Sequence, residues 1–285
     1  MALPLAQCPR LSRLATVVLL LLMLTCAFHL APSCDGAAPS PADVTSPPIR
    51  PATTNPADFR PPIARSASER IDDRRRMVGS QIANPRDGRD AVTDQCVIGA
   101  MLAVPRHAFV PQVIRGQAYD DSPLPIGHDQ TISQPYIVAL MTEHLKVTPS
   151  SKVLEIGTGS RYQAAVLAHL TPHVYTIEIV DELARTAGKT LTQQGYGTVH
   201  VRSGDGYLGW PEQAPFDAII VTCAPEDLPK PLWQQLKPGG RIVIPIGPSW
   251  RIQQLVVIAK TADGQRRTQT ITEVRFVPMT GKARE

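Results

Sequence analysis

Val153-Leu154-Glu155-Ile156-Gly157-Thr158-Gly159-Ser160-Arg161-Tyr162 reads as a buried parallel strand that ends in a glycine-rich turn and opens a helix. Gly157 and Gly159 let the backbone approach a ligand closely and adopt dihedrals that a side chain forbids. Amides at the helix start, near Ser160, form a polar cradle. The spacing is not a Walker A loop, because no Gly-Lys-Ser/Thr follows. Nor is it a G-x-G-x-x-G dinucleotide fingerprint, since Tyr162 stands where the third glycine belongs.

The segments that follow repeat the strand-helix alternation. His173–Ile179 reads as a second strand carrying Glu178 near its end. An acid there, about 20 residues past the glycines, is placed to accept hydrogen bonds from both hydroxyls of a ribose. Its other reading is a solvated acid before a helix that Asp181 caps. Val199–Gly206 reads as a third strand running into the acidic loop Gly204-Asp205-Gly206, where Asp205 is set to bind an exocyclic amine of adenine. Phe216–Cys223 is nearly continuous in apolar residues, the mark of a strand buried on both faces. Lys237-Pro238-Gly239-Gly240 turns into a fifth strand ending at Ile246, and Asp181–Gln194 and Pro229–Leu236 read as helices between strands. The pattern predicts an α/β fold with a doubly wound, Rossmann-like sheet and a small helical N-terminal extension.

Acidic-x-Gly-x-Gly after a strand resembles the first motif of class I S-adenosyl-L-methionine (AdoMet) methyltransferases. Further separated motifs make the resemblance specific. They are Val104–Pro111, Thr131-Ile132-Ser133-Gln134-Pro135-Tyr136, Gly204–Trp210, Val221–Pro225 and Phe276–Gly281. From about Glu69 to Gly281 the chain resembles the protein-L-isoaspartate O-methyltransferase (protein-β-aspartate methyltransferase) family, and the Thr-Ile-Ser-Gln-Pro segment is the discriminating one. The resemblance implies methyl transfer from AdoMet to the α-carboxylate of L-isoaspartyl residues in damaged proteins. It places the cofactor against Thr131, Ile132, Glu155, Gly157, Gly159, Glu178, Asp205, Gly206 and Thr280. It places the substrate backbone against Val221, Thr222, Cys223 and Ala224, a mode of main-chain recognition that tolerates diverse side chains. Ser133 takes the active-site role, donating a hydrogen bond that orients the carboxylate. Ser133 would also cap a helix opening at Gln134-Pro135. An AdoMet methyltransferase for another carboxylate and a non-catalytic binder of damaged peptides are the alternatives.

Two positions depart from the family pattern. Arg161 replaces a glycine, and Asp129 replaces another just before Gln130. A cation in a first helical turn opposes the helix dipole. The Arg161 side chain is therefore expected to point to solvent or to an acidic partner, with Asp129 the candidate.

The 285 residues hold one catalytic domain, 68–285, with ample core. A net charge of +4 is slight and partly local to Arg74-Arg75-Arg76, which reads as a solvated helix face and argues for no nucleic-acid partner. A monomer is expected, with isoaspartyl-containing peptides and proteins as partners. Residues 1–34 differ in kind: Arg10 and Arg13 precede an apolar run from Leu14 to Leu30, the form of a secretory signal or anchor. Residues 35–67, rich in Pro, Ala, Ser and Thr, lack the apolar content to order themselves and read as a tether. These features predict an exported, periplasmic or membrane-anchored protein, with a cytoplasmic location as the alternative. No Cys/His spacing suits a metal, so none is expected. Cys96 reads as a core residue of an apolar helix, and Cys223 as a packing residue beside the site. His107 and His128 read as hydrogen-bonding loop residues, and Trp210, Trp233 and Trp250 as packing residues.

Overall fold

The computed structural model describes residues 58–281. In chain order the elements are α1 (Ile71–Met77), prolonged by a π-helical turn (Val78–Ile82), then α2 (Gln95–Ala103). A short antiparallel hairpin, β1 (Leu124–Gly127) and β2 (Gln130–Ile132), leads into α3 (Pro135–Leu145). Then follow β3 (Val153–Ile156), α4 (Tyr162–Ala168), β4 (Val174–Glu178), α5 (Asp181–Gln193), β5 (His200–Ser203) and β6 (Phe216–Val221). The chain closes with α6 (Lys230–Gln235), β7 (Leu236–Ile246), β8 (Gln253–Lys260) and β9 (Arg266–Val274).

Seven strands form one sheet in the order β5-β4-β3-β6-β7-β8-β9. The pairs among β3, β4, β5, β6 and β7 are parallel, whereas β8 pairs antiparallel with both β7 and β9. The chain order reverses between β3 and β6. A crevice at the carboxyl ends of strands on either side of such a switch is where doubly wound sheets bind ligands.

Alternation along the central strands fills two cores. Ala218, Ile220, Val243, Leu255 and Val257 pack with α2, α3 and α4 on one face. Ile219, Val221, Ile242, Ile244, Val256 and Ile258 pack on the other, with Leu232 of α6. Successive side chains point to opposite faces of a strand, so one apolar run supplies both cores. Full burial of one such Leu, Ile or Val side chain contributes about 1.5–3 kcal/mol.

Local chemistry fixes the helix ends. Asp94 caps α2, its carboxylate accepting from the amides of Cys96 and Val97. Pro135 sits in the first turn of α3, where its missing N–H is no loss. Asp181 and Glu182 open α5 and complement its dipole, while Leu183, Ala184, Ala187 and Leu191 form its buried stripe.

Several expectations need correction. Among the described residues no helix is long and apolar enough to cross a membrane, so the expected membrane anchor finds no support there. The signal-like run and residues 35–57 lie outside the described residues. Order begins before residue 68: Ala64 is buried, and the Arg65 amide donates to the Gln194 carbonyl at 3.3 Å. Arg74, read as part of a solvated face, is buried and donates to the Ala67 carbonyl. Cys96 lies on α2 as expected but on its exposed side, with Val97 and Ala100 turned inward instead. Trp250 is 75% exposed in the β7–β8 turn rather than packed, whereas Trp210 and Trp233 join the second core.

Candidate active site

The glycine turn leaves β3 at the switch point. Gly157 has φ +94°, and a Cβ there would stand 2.5 Å from Thr222 Oγ1, so both conformation and space require glycine. The Thr222 hydroxyl in turn donates to the turn's backbone, with the Ile156 and Gly157 carbonyls at 3.0 and 2.7 Å. Gly157 N–H donates to the Ile177 carbonyl at 2.9 Å, tying the turn to β4. Glu178, at the end of β4, is 4% exposed; its Oε2 accepts from Gly159 N–H at 2.7 Å and its Oε1 from Val180 N–H at 2.9 Å.

Three connected hollows surround this turn. The first, about 590 Å³, is bounded by Ile156, Gly157, Gly159, Ile177, Glu178, Ile179, Gly206, Cys223 and Thr280. The second, about 400 Å³, lies among Ile132, Ser133, Thr158, Ser160 and Gln163. The third, about 740 Å³, opens outward between Pro123, Ser133, Gln134, Ile137 and Phe276. Thr131 and Thr222 line all three, and Ser133 lines the second and third. Two threonines thus stand where an inner site meets an outer cleft, with the serine beside them.

The carboxyl-terminal segment closes one side. Ala224 N–H donates to Val277 O at 2.8 Å, Met279 N–H to Ala224 O at 2.9 Å, and Tyr207 OH to Met279 O at 3.3 Å. This strap carries Met279 and Thr280 to the first hollow. Cys223 also borders it, and burial together with the Glu178 carboxylate pushes its thiol up to about 12.

The structure brings together Thr131, Ile132, Ser133, Gly157, Gly159, Glu178, Gly206, Thr222, Cys223 and Thr280 as lining residues. Four other expected positions stand apart from it. Glu155 is fully buried and does not line the hollows, because alternation along β3 turns it away from the side where Ile156 faces the ligand space. Among the described residues neither of its carboxyl oxygens has a hydrogen-bond partner; the nearby Thr176 hydroxyl is engaged with Thr158 at 2.6 Å. Burial, with the Glu178 charge adding and Thr176 opposing, pushes Glu155 up to about 8. Asp205 lies outside the first hollow, its Oδ1 accepting from Tyr207 N–H at 2.9 Å as a cap of the Gly206–Leu208 turn. Val221 is a core residue of β6. Ala224 has both its amide and its carbonyl committed to the strap.

The sequence reading also missed neighbours. Gln163, buried on α4 and donating to Thr142 at 3.0 Å, lines the second hollow; a glutamine immediately before the apolar Ala164–Ala168 stretch was its available signal. Gln134 is the N-cap of α3 and no side chain caps it, so Ser133 does not serve as the cap. Arg161 does not meet Asp129. Its backbone is left-handed at φ 74°, and its guanidinium donates to the Leu183 carbonyl at 2.9 Å and to Thr186 on α5. The α5 carbonyl lies across the turn, whereas Asp129 belongs to the exposed β1–β2 hairpin turn. His107 is buried, its Nδ1 2.7 Å from Tyr119 OH and its Nε2 3.2 Å from Glu69, and burial holds its pKa below the usual value. Among the described residues no group of three or more His, Cys, Asp or Glu side chains is placed to hold a metal.

The donor set suits AdoMet. A near-buried carboxylate faces the first hollow where a ribose diol would sit, Ile177 and Ile179 supply apolar surface for a purine, and the bare backbone of Gly157 and Gly159 leaves room for the ligand. This sheet order with this turn defines a class I AdoMet methyltransferase. Residues 81–284 match the profile of the family described as Protein-L-isoaspartate(D-aspartate) O-methyltransferase (PCMT), and the chain belongs to that family. It is 55% identical over 211 residues to a protein-L-isoaspartate O-methyltransferase of Opitutus terrae, covering 74% of this chain and 88% of that one. A protein of the same name from Gloeobacter violaceus is 56% identical over 204 residues, covering 72% and 97%. Among solved structures, one protein-L-isoaspartate O-methyltransferase superposes with a TM-score of 0.60 at 30% identity, covering 67% of this chain and 62% of that one. A Plasmodium falciparum protein described as a β-aspartate methyltransferase, in complex with S-adenosyl-L-homocysteine, shares the fold at a TM-score of 0.59 and 24% identity, covering 66% and 92%.

Proposed function

We propose that this chain methylates the α-carboxylate of L-isoaspartyl residues in damaged proteins, using AdoMet, and so initiates their repair. The observation that carries the reading is the junction at Thr131, Ser133 and Thr222, where the inner hollows open into the outer cleft. When bound, AdoMet supplies an electrophilic methyl on a sulfonium. Glu178 and the Gly157–Gly159 backbone hold its ribose and methionine ends, and Thr280 closes over it from the strap. The outer cleft takes the peptide, with the isoaspartyl carboxylate at Ser133.

That carboxylate is ionised at neutral pH, so no general base is needed. The work left to the protein is alignment and removal of water from the attacking oxygen. The Ser133 hydroxyl donates a hydrogen bond that fixes the oxygen without protonating it. Cys223 is a competing nucleophile that lines the first hollow. With its thiol pushed up to about 12 it stays protonated and unreactive toward the methyl group.

Ser133→Ala tests the assignment. The variant should bind S-adenosylhomocysteine normally while kcat/KM on an isoaspartyl peptide falls by on the order of 2–4 kcal/mol in transition-state stabilisation. An unchanged kcat/KM would remove Ser133 from the reaction.

A further inference from the structure

The outer cleft carries a feature that methyl transfer does not use. Its walls are apolar at Pro123, Ile137 and Phe276, yet two of its lining residues are charged, Glu273 and Arg275. They flank Val274, which ends β9 and turns inward, 7% exposed, so both charges lie on the solvent side of the extended chain. Arg275 is exposed and forms no ion pair with any described residue. Glu273 does not neutralise it; the neighbour of the Glu273 carboxylate is Gln254 Nε2 at 3.5 Å. Asp121, which does not line the cleft, is hydrogen-bonded to Gln134, which does. Its carboxylate already accepts from Arg89 at 2.5 Å and from Gln134 at 2.9 Å.

We propose that Arg275 is a specificity-determining residue that reads an acidic side chain flanking the isoaspartyl residue of the substrate. The proposal rests on the reading above that this cleft receives the peptide. An isoaspartyl residue has one free carboxylate, and that group must sit at Ser133 to meet the methyl. Arg275 borders only the outer cleft and neither inner hollow, so the carboxylate within its reach belongs to a neighbouring residue. A guanidinium matches a carboxylate through two parallel N–H donors, which gives direction as well as charge. Glu273, two residues along the same edge, repels a second acid, so the preference is for one acidic neighbour rather than an acidic run.

Steady-state kinetics of the full chain test this on isoaspartyl peptides that differ only in Glu or Gln immediately before or after the isoaspartyl residue. For the unaltered protein the Glu peptide should have the lower KM at one of those positions, by about two- to five-fold at low ionic strength, as for an exposed ion pair. Arg275→Gln should bring that ratio to about one, and Arg275→Glu should invert it while favouring a Lys-flanked peptide. An unaltered protein that shows no preference at either position, or an Arg275→Gln variant that keeps the original ratio, would overturn the proposal. Failure of the unaltered protein to methylate even the Gln peptides would instead remove the methyl-transfer reading, and this proposal with it.

Discussion

The Glu178 carboxylate accepts the Gly159 N–H at 2.7 Å, so the acid at the end of β4 and the glycine turn after β3 are one unit. Its second oxygen holds Val180 N–H at 2.9 Å, fixing the start of α5 as well. Glu178→Ala therefore removes the brace that shapes the turn and, on the proposed reading, the ribose contact. Affinity for S-adenosylhomocysteine should fall by roughly 1.5–3 kcal/mol for each charge-assisted hydrogen bond lost, and at least one is at stake. Titration calorimetry checks it, and wild-type affinity in the variant would contradict the assignment.

Glu155 gives a pH signature. Its folded pKa of about 8 lies above the ordinary 4.5, so the native state holds a proton that the unfolded chain has released across that interval. The stability it contributes is complete below about 4.5 and is lost as pH rises toward 8, with a limiting slope of about 1.4 kcal/mol per pH unit. Buried His107, whose pKa is lowered, works in the opposite sense, so the useful quantity is the difference between wild type and Glu155→Gln. Urea midpoints measured from pH 5 to 8 should show the variant gaining on wild type steadily. Parallel curves would mean that Glu155 is ionised in the fold.

The sequence pattern revealed the strands that are buried on both faces. β3, β4 and β6 are short apolar runs bounded by glycine, proline or acids and were readable to within about two residues, whereas β7 begins at Leu236 and takes in the Lys237–Gly240 stretch that read as a turn before it. β9 was not. Arg266–Thr270 is exposed along an edge and has no apolar face to betray a strand. β1 and β2, four and three residues long, are too short for any period to appear. At the site, glycines and Glu178 were legible because each answers a local geometric need. That Glu155 lies off the hollows was not legible, because a motif fixes its position in the chain but not the face it occupies. The backbone pairing of Ala224 was not legible for a long-range reason, since its partners Val277 and Met279 lie more than fifty residues away.

Arg161 occupies a backbone conformation that glycine adopts freely and other residues adopt at a cost of roughly 1–2 kcal/mol. Its guanidinium offsets that cost by joining α4 to the Leu183 carbonyl of α5, and it does not border the first hollow. Arg161→Gly trades one effect against the other. Affinity for S-adenosylhomocysteine should change by less than about 1 kcal/mol, because the half-buried contact that is lost runs to α5 and not into the hollow. A hundredfold gain by calorimetry would show instead that the arginine crowds the cofactor.

The most direct test uses the full chain with AdoMet labelled in its methyl group and two peptides of identical composition, one carrying L-isoaspartate and the other normal L-aspartate. The junction of Thr131, Ser133 and Thr222 with the outer cleft predicts labelled methyl ester on the isoaspartyl peptide and none above background on its twin. Equal labelling of both peptides, or of neither, would contradict the account.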